Sequence, residues 1–504
     1  MDEYLRRAAR LRPDRTALID AESGDSWTYE QLDGWASRIG TRLVEQGATA
    51  GDRVGLLLPR NPVAIAAIWG GFRAGATLVP LNPAEPASEI RSRCERAGVK
   101  TCLTASDGEA GFEAGSLADF RPIRLDDQTG QGPPAAREGK DTHFSTRRDI
   151  DRTRVVLFTS GTTGEPTGVR LTGRNLGASA ASTVERVGAT RTDRWLLDLP
   201  IYHAGGLSIP IRTAMLGATT VVRSAFDAAE TGRTMAAFDV TGVSLVPTML
   251  ERLLDGPGLT AGLRFALVGG AATPPSLVRR ALDAAVPIFA SYGMTETASG
   301  IATATPRELE ADPKTVGRPV RAATISIRGE EDSPVDARTV GEITVSGPIV
   351  SPGSIDGTER SPDEPLRTGD RGYLTAAERL FVTGRIDDLI VTGGENVSPR
   401  EVEAAIRELE DVAAVAVLGL DDPEWGERVA AAIVPTTGEA EASMALESIR
   451  DRLQDRLAGY KLPKTVRVVE ALPRTASGTV DREALRDQFR DSGGRFRERG
   501  GRFQ

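Results

Sequence analysis

Apolar and polar positions along the chain predict a succession of amphipathic helices and short buried strands. Tyr29–Glu45 carries apolar residues at helical spacing and stops just before Gly47, a fitting C-cap, so it predicts a helix. Arg53–Leu58 predicts a strand, Ala64–Ala74 a helix and Thr77–Pro80 a further strand. Asp107–Asp149 is polar and rich in Gly, Pro and Asp, the composition of a surface excursion. Strand signals return at Val155–Phe158, Leu196–Leu199, Thr219–Val222, Val243–Val246 and Arg264–Val268, separated by helical stretches such as Asn175–Val187. Ala323–Ile327 and Glu342–Ser346 read as an antiparallel, β-rich module. Beyond Gly384 the pattern changes: a helix at Pro399–Leu409, strands at Ala413–Leu418 and Val429–Pro435, and a helix near Met444–Leu457. The alternation predicts an α/β fold. The change of pattern places a boundary at Gly384–Asp388, between a domain 1–384 and a smaller one, 385–492. The remainder, 493–504, is Gly/Arg-rich and cannot bury enough apolar surface to fold alone, so a disordered tail is expected.

Composition narrows the function. At 504 residues the chain is long enough for two or more cores, and 40% hydrophobic with 26% charged residues fits a soluble globular protein. No apolar run reaches the ~18 residues of a spanning helix, and the start lacks the apolar core of a signal peptide. A cytoplasmic protein is therefore expected, with no membrane partner. The net charge of -9 argues against nucleic-acid binding. Two cysteines, Cys94 and Cys102, and two histidines leave no room for a Cys/His zinc site or a disulfide scaffold. Lysine occurs only at positions 100, 140, 314, 461 and 464, all other basic residues being arginine.

The strongest local signal for chemistry is Thr159-Ser160-Gly161-Thr162-Thr163-Gly164-Glu165-Pro166-Thr167-Gly168, set between a strand and a helical stretch. Glycines let the backbone turn its N–H groups toward an anion, and the hydroxyls add donors, which suits a polyphosphate. No Gly-Lys-Ser/Thr closes the loop, so it is not a Walker pattern. Further on come Ser291-Tyr292-Gly293-Met294-Thr295-Glu296, Arg367-Thr368-Gly369-Asp370, Gly384-Arg385-Ile386-Asp387 and Gly393-Gly394-Glu395-Asn396.

This ordered set resembles the adenylate-forming superfamily of acyl-CoA synthetases, peptide-synthetase adenylation domains and luciferases. The resemblance covers about Tyr29 to Leu485. It implies a large N-terminal domain of stacked α/β subdomains plus a β-rich module, with a small mobile C-terminal α+β domain. It also implies an ATP-, Mg²⁺- and coenzyme A-dependent reaction on a small-molecule carboxylate, through an acyl-adenylate. Thr159, Ser160, Gly161, Thr162, Thr163 and Gly164 would hold the β- and γ-phosphates. Gly270, Ala271, Ala272, Tyr292 and Gly293 would line the adenine slot. Thr295 would touch the α-phosphate, Glu296 would help hold Mg²⁺, and Asp370 with Arg385 would bind the ribose. Asp387 would be the hinge, and Gly393 and Gly394 would face the coenzyme A channel.

Substrate choice rests on Asp193–Arg212, which carries His203-Ala204-Gly205-Gly206-Leu207-Ser208 and the later Arg212. This stretch, with Ser291–Ser299, is similar to the 2-succinylbenzoate–CoA ligases of menaquinone biosynthesis. The likeness implies His203 where the acyl pocket meets the thiol tunnel, Ser291 at the substrate, and Arg212 as a cation for a second carboxylate. A satisfied core histidine and a structural ion pair are the alternatives for His203 and Arg212. Two positions depart from the family: Thr167 stands where a lysine is usual, and Thr479 replaces the lysine that bridges substrate carboxylate and nucleotide. Three readings stay open: a ligase whose charge comes from Lys461, Lys464 or an arginine; a slow adenylating enzyme competent mainly in thioesterification; or a non-catalytic nucleotide- or acyl-CoA-binding homologue. An acyl- or aryl-CoA synthetase for another carboxylate is the nearest enzymatic alternative.

Overall fold

The computed structural model describes residues 1–105, 120–125, 149–159, 166–256, 258–259, 262–329, 332–357, 359–361, 363–386, 389–392, 395–423, 425–437, 444–454, 456–475 and 480–490. Contacts group the chain into two units. The first comprises Met1–Ser326, Thr344–Leu366 and Thr375–Leu380; the second comprises Ile327–Ile343, Arg367–Leu374 and the chain from Phe381 onward.

Three helices of the first unit start at side chains that satisfy their first N–H groups. Thr28 and Gln31 form a reciprocal capping box for Tyr29–Glu45, and Thr172 with Asn175 does the same for Gly173–Val187. Asn61 caps Pro62–Ala74, which ends at the left-handed Gly75. That last helix is buried at every residue and packs on Tyr29–Glu45 at Gly40 and Gly70. A Cβ on Gly70 would stand 2.6 Å from a methyl of Ile39, so glycine sets the helix–helix distance.

Two sheets share this helical layer. A six-stranded sheet runs in the order Arg121–Leu125, Thr101–Ala105, Arg53–Leu57, Thr77–Pro80, Thr153–Thr159, Thr167–Thr172, all parallel except the last pair. A nine-stranded sheet holds Ile288–Met294, Phe265–Val268, Gly242–Leu245, Arg194–Leu197, Thr219–Val222 and Thr16–Asp20 as parallel neighbours. Antiparallel strands flank it, Arg318–Pro319 and Ser299–Ala304 at one edge and Ser26–Thr28 at the other. One continuous core joins Trp195 and Phe265 from this sheet to Leu56, Leu78 and Leu157 from the other. The N-terminal strand is tied in by Thr219 Oγ1, which donates to Thr16 O at 2.8 Å from 203 positions away.

A four-stranded sheet follows, Thr324–Arg328, Gly341–Ser346, Leu366–Leu374 and Leu380–Arg385 in order. The second unit contains a five-stranded sheet built on the long antiparallel pair Val412–Asp422 and Gly426–Pro435. Helices Pro399–Arg407 and Leu446–Leu453 cover one face, and Arg482–Arg490 covers the other. Among the described residues no helix is long and apolar enough to cross a membrane.

Two expectations need correction. The polar excursion Asp107–Asp149 includes a true strand, Arg121–Leu125, whose Ile123 and Leu125 are buried beside Thr101–Ala105. The Ser/Thr/Gly loop does not pass straight into a helix: it returns as the antiparallel strand Thr167–Thr172. The Gly/Arg tail lies outside the described residues.

Candidate functional site

Parallel strands in register deliver their C-terminal ends to one side of a sheet, where ligands bind in open α/β folds. Val268 pairs with Ala290, so Gly269 and Gly270 leave their strand beside Ser291 and Tyr292. A Cβ on Gly269 would lie 3.1 Å from the Ser291 carbonyl oxygen, and Gly270 has φ +80. Gly270, Ala271 and Ala272 are exposed, and Tyr292 is half-buried. The ladder shifts between Tyr292 and Gly293. A Cβ on Gly293 would overlap the Ser299 carbonyl and stand 2.6 Å from Gly300 Cα. Gly293→Ala is expected to cost about 1–3 kcal/mol of stability, since backbone rather than a flexible side chain must yield. Its KM for ATP should rise as well, a pair of effects that thermal melts and steady-state kinetics would read separately.

The next residues form a single 3-10 turn, Thr295–Thr297. Thr297 Oγ1 donates within reach of both Met294 O (2.9 Å) and Ser299 O (2.8 Å). Ala298 (φ 53) and Ser299 (φ 128) then hold left-handed backbone without being glycine, strain of a kind that gathers at functional sites. Ser179 Oγ donates to Ala298 O at 2.9 Å, and Ser351 N–H donates to Glu296 O at 2.7 Å. The turn packs against Thr167–Thr172, the strand that leaves the Ser/Thr/Gly loop. Thr159 ends the strand that pairs with Thr167–Thr172, so that one strand has Thr159's strand and the turn carrying the half-buried Glu296 as its neighbours. Ser160, Gly161, Thr162, Thr163 and Gly164 lie outside the described residues. Ser291 Oγ accepts from Thr303 Oγ1 at 3.3 Å.

His203 ends the loop after Arg194–Leu197 and caps the helix Ala204–Leu216 with its backbone alone. That loop is anchored at its start by the buried Asp198, which accepts from Arg60 Nη2 (3.0 Å) and Thr231 Oγ1 (2.6 Å). The His203 ring packs edge-on against Tyr202 at 4.8 Å, and its Nε2 is buried with no hydrogen-bond partner among the described residues. Among the described residues, that nitrogen is not satisfied as a core histidine's would be. Burial, then the Arg93 charge, holds its imidazole below the ordinary histidine value, which favours the neutral form.

Arg212 lies on the same helix with 1% of its surface exposed. Its guanidinium reaches Ser299 Oγ (3.2 Å) and Thr183 Oγ1 (3.3 Å) and stands 5.4 Å from the Trp195 ring. Its Nε has no partner, and no carboxylate pairs with it among the described residues. Burial alone pulls the group down to about 9. Among the described residues the ion-pair alternative finds no partner. A buried arginine held only by hydroxyls and a ring face is one that an anionic ligand would complete. Sequence reading found Arg212 but not Ser299, Thr183 and Trp195, which surround it from three other elements.

In the second unit Asp370 is buried, its N–H donating to Thr368 Oγ1 at 3.1 Å, and Arg385 Nη1 stands 3.7 Å from its carboxylate. The two residues expected at the ribose therefore meet. Asp387, Gly393, Gly394 and Thr479 lie outside the described residues. Lys461 is held by Glu401 at 2.6 and 2.8 Å, and Lys464 Nζ sits 3.2 Å from the Trp425 ring centroid. Among the described residues no group of three or more His, Cys, Asp or Glu could hold a metal ion alone. A lone carboxylate such as Glu296 fits Mg²⁺ that arrives carried on nucleotide phosphates.

Comparison with known proteins bears on this geometry. The family described as AMP-binding enzyme matches residues 5–354, and its C-terminal domain matches residues 401–479. The chain is 34% identical over 489 residues to a 2-succinylbenzoate–CoA ligase of Bacillus licheniformis, covering 96% of this chain and 98% of that one. It is 32% identical over 498 residues to the Listeria monocytogenes ligase of the same name, at 97% and 99% coverage. The fold is similar to o-succinylbenzoate CoA synthetase from Bacillus subtilis in complex with its acyl-adenylate intermediate. There the TM-score is 0.86 at 31% identity, covering 97% and 98% of the two chains. ATP-bound MatB from Rhodopseudomonas palustris is similar too, with TM-score 0.86, 27% identity and 97% and 99% coverage.

Proposed function

Because the chain belongs to the AMP-binding enzyme family, we propose that it joins a carboxylate to coenzyme A at the expense of ATP, with 2-succinylbenzoate as the carboxylate. A carboxylate oxygen attacks the ATP α-phosphorus and pyrophosphate leaves. The coenzyme A thiolate then attacks the acyl carbonyl and AMP leaves. The protein contributes positioning and charge rather than covalent chemistry. Thr159 and the Ser160–Gly164 loop hold the β- and γ-phosphates. Gly270–Ala272, Tyr292 and Gly293 hold the adenine. Asp370 and Arg385 hold the ribose hydroxyls, and Thr295 touches the α-phosphate. Glu296 holds Mg²⁺, which supplies charge neutralisation when bound. His203 and Ser291 border the acyl group, and Arg212 takes the substrate's second carboxylate. The reaction turns on a hinge at Asp387 between residues 1–384 and 385–492, with Gly393 and Gly394 beside the thiol. The work is cytoplasmic.

The single observation that carries the substrate assignment is Arg212, a wholly buried cation without a carboxylate partner among the described residues. A dicarboxylic substrate supplies that partner. The test is pyrophosphate release with ATP and Mg²⁺ across a carboxylate panel, with and without coenzyme A. Turnover on 2-succinylbenzoate, exceeding that on benzoate, is expected. Turnover on another acid alone would remove the substrate assignment, and nucleotide binding without any pyrophosphate would remove the enzyme.

A further inference from the structure

Ser299 touches both halves of the site, and none of the steps assigned above uses it. Its hydroxyl accepts from Arg212 Nη2 at 3.2 Å, where the second carboxylate is received. Its carbonyl oxygen accepts from Thr297 Oγ1 at 2.8 Å, and Thr297 closes the turn that carries Thr295 and Glu296. The same carbonyl is pressed against Gly293, where a Cβ would stand 1.9 Å from it, and Ser299 pairs with Met294 across the ladder. Thr297 is wholly buried and also accepts from the Met294 N–H at 3.2 Å, which ties the turn to the same strand pair. Two direct hydrogen bonds thus connect a cation for the acid with the turn for the α-phosphate and Mg²⁺.

The backbone shows what this connection demands. Serine at φ 128 sits where glycine is at ease and a Cβ is crowded, and Ala298 before it is left-handed at φ 53. Ser179 Oγ holds the strained pair by donating to Ala298 O at 2.9 Å. Glycine would relieve the strain at Ser299, but it has no hydroxyl for Arg212. Arg212 in turn has two hydroxyl contacts and an Nε with no partner among the described residues, a set that a carboxylate completes. We propose that Ser299 is a positioning residue that carries recognition of the second carboxylate to the nucleotide turn, so that a dicarboxylic acid is adenylated faster as well as bound more tightly. The carboxylate fixes the guanidinium, the guanidinium fixes the Ser299 hydroxyl, and the Ser299 carbonyl fixes the turn. Part of the interaction with the second carboxylate then goes into orientation at the reacting phosphorus rather than into affinity. This rests on the roles given above to Arg212, Thr295 and Glu296.

Two acids that differ only in that carboxylate provide the test, 2-succinylbenzoate and 4-phenyl-4-oxobutanoate. Single-turnover pyrophosphate release is followed at varied acid with saturating ATP and Mg²⁺. The unmodified protein should reach a maximal rate about 10-fold higher with the dicarboxylic acid. In Ser299→Ala and Ser299→Gly that ratio should fall to near unity. The half-saturating concentration of 2-succinylbenzoate should stay within about 3-fold, because Arg212 remains. Glycine suits the φ of this position, so Ser299→Gly separates loss of the hydroxyl from misfolding. Equal slowing with both acids would reduce Ser299 to a structural residue, and a change confined to half-saturation would make it a binding contact. Either result, an unchanged ratio in both variants, or a ratio of one in the unmodified protein would overturn the proposal. Failure of the ligase reading looks different: the unmodified protein releases no pyrophosphate with either acid, which removes that reading and the proposal with it.

Discussion

Arg212→Met is expected to raise the KM for 2-succinylbenzoate by about 100-fold while leaving the protein as heat-stable as before, or more so. Most buried residues behave in the opposite way, losing stability when changed. Arg212 differs because, among the described residues, its desolvated charge has no carboxylate to repay the cost and its Nε has no partner. Methionine keeps the unbranched chain in place and removes the charge, at the expense of two hydroxyl contacts at 3.2 and 3.3 Å. Binding loses a charge-assisted contact in a dry site, where truncating one partner typically costs about 2–5 kcal/mol. The KM for benzoate, which has no second carboxylate, should move little. A fall in melting temperature with unchanged discrimination between the two acids would make Arg212 a structural residue.

Thr479→Lys should accelerate pyrophosphate release by about 100-fold. A positioned donor aimed at developing charge is commonly worth about 2.7–4 kcal/mol, and the family's lysine spans substrate carboxylate and nucleotide at this step. Cations on neighbouring segments are committed elsewhere. Lys461 is held by Glu401, Lys464 lies over Trp425, and Arg482 Nη2 reaches Glu403 at 2.9 Å. The second half-reaction, started from preformed acyl-adenylate, should be unaffected, because the lysine acts on the first. Rapid-mixing measurement of each half-reaction separates the two. An unchanged first step would mean that another group already supplies the charge.

Much of this architecture was legible because local and tertiary demands agree. Tyr29–Glu45 shows its apolar stripe and its terminating glycine in sequence, and the helix forms over those residues. Buried parallel strands such as Thr219–Val222 are apolar enough to stand out. Arg121–Leu125 was hidden for a physical reason: it is an edge strand with a proline and two exposed arginines, so only Ile123 and Leu125 mark it. Thr167–Thr172 was hidden by the polar loop before it. At the site, residues whose type is dictated by backbone geometry or ligand chemistry, such as Gly293, Glu296 and Asp370, could be found from their motifs. Thr183 and Ser299 could not. They reach Arg212 only when the helix Gly173–Val187 and the strand Ser299–Ala304 come together around it, and no local pattern announces that meeting.

The pairing of Thr16–Asp20 with Thr219–Val222 has a consequence during synthesis. The strand Thr16–Asp20 leaves the ribosome well before this partner, which emerges only after about 200 further residues, ~10–40 s later at ordinary elongation rates. Through that interval Ala17, Leu18 and Ile19, all buried in the finished sheet, can pair only with the short strand Ser26–Thr28, and the other edge of that hairpin stays open. The nascent chain therefore passes through a stage with an apolar hairpin whose one edge is unpaired, and its yield depends on how well chaperones shield that edge until Thr219–Val222 emerges.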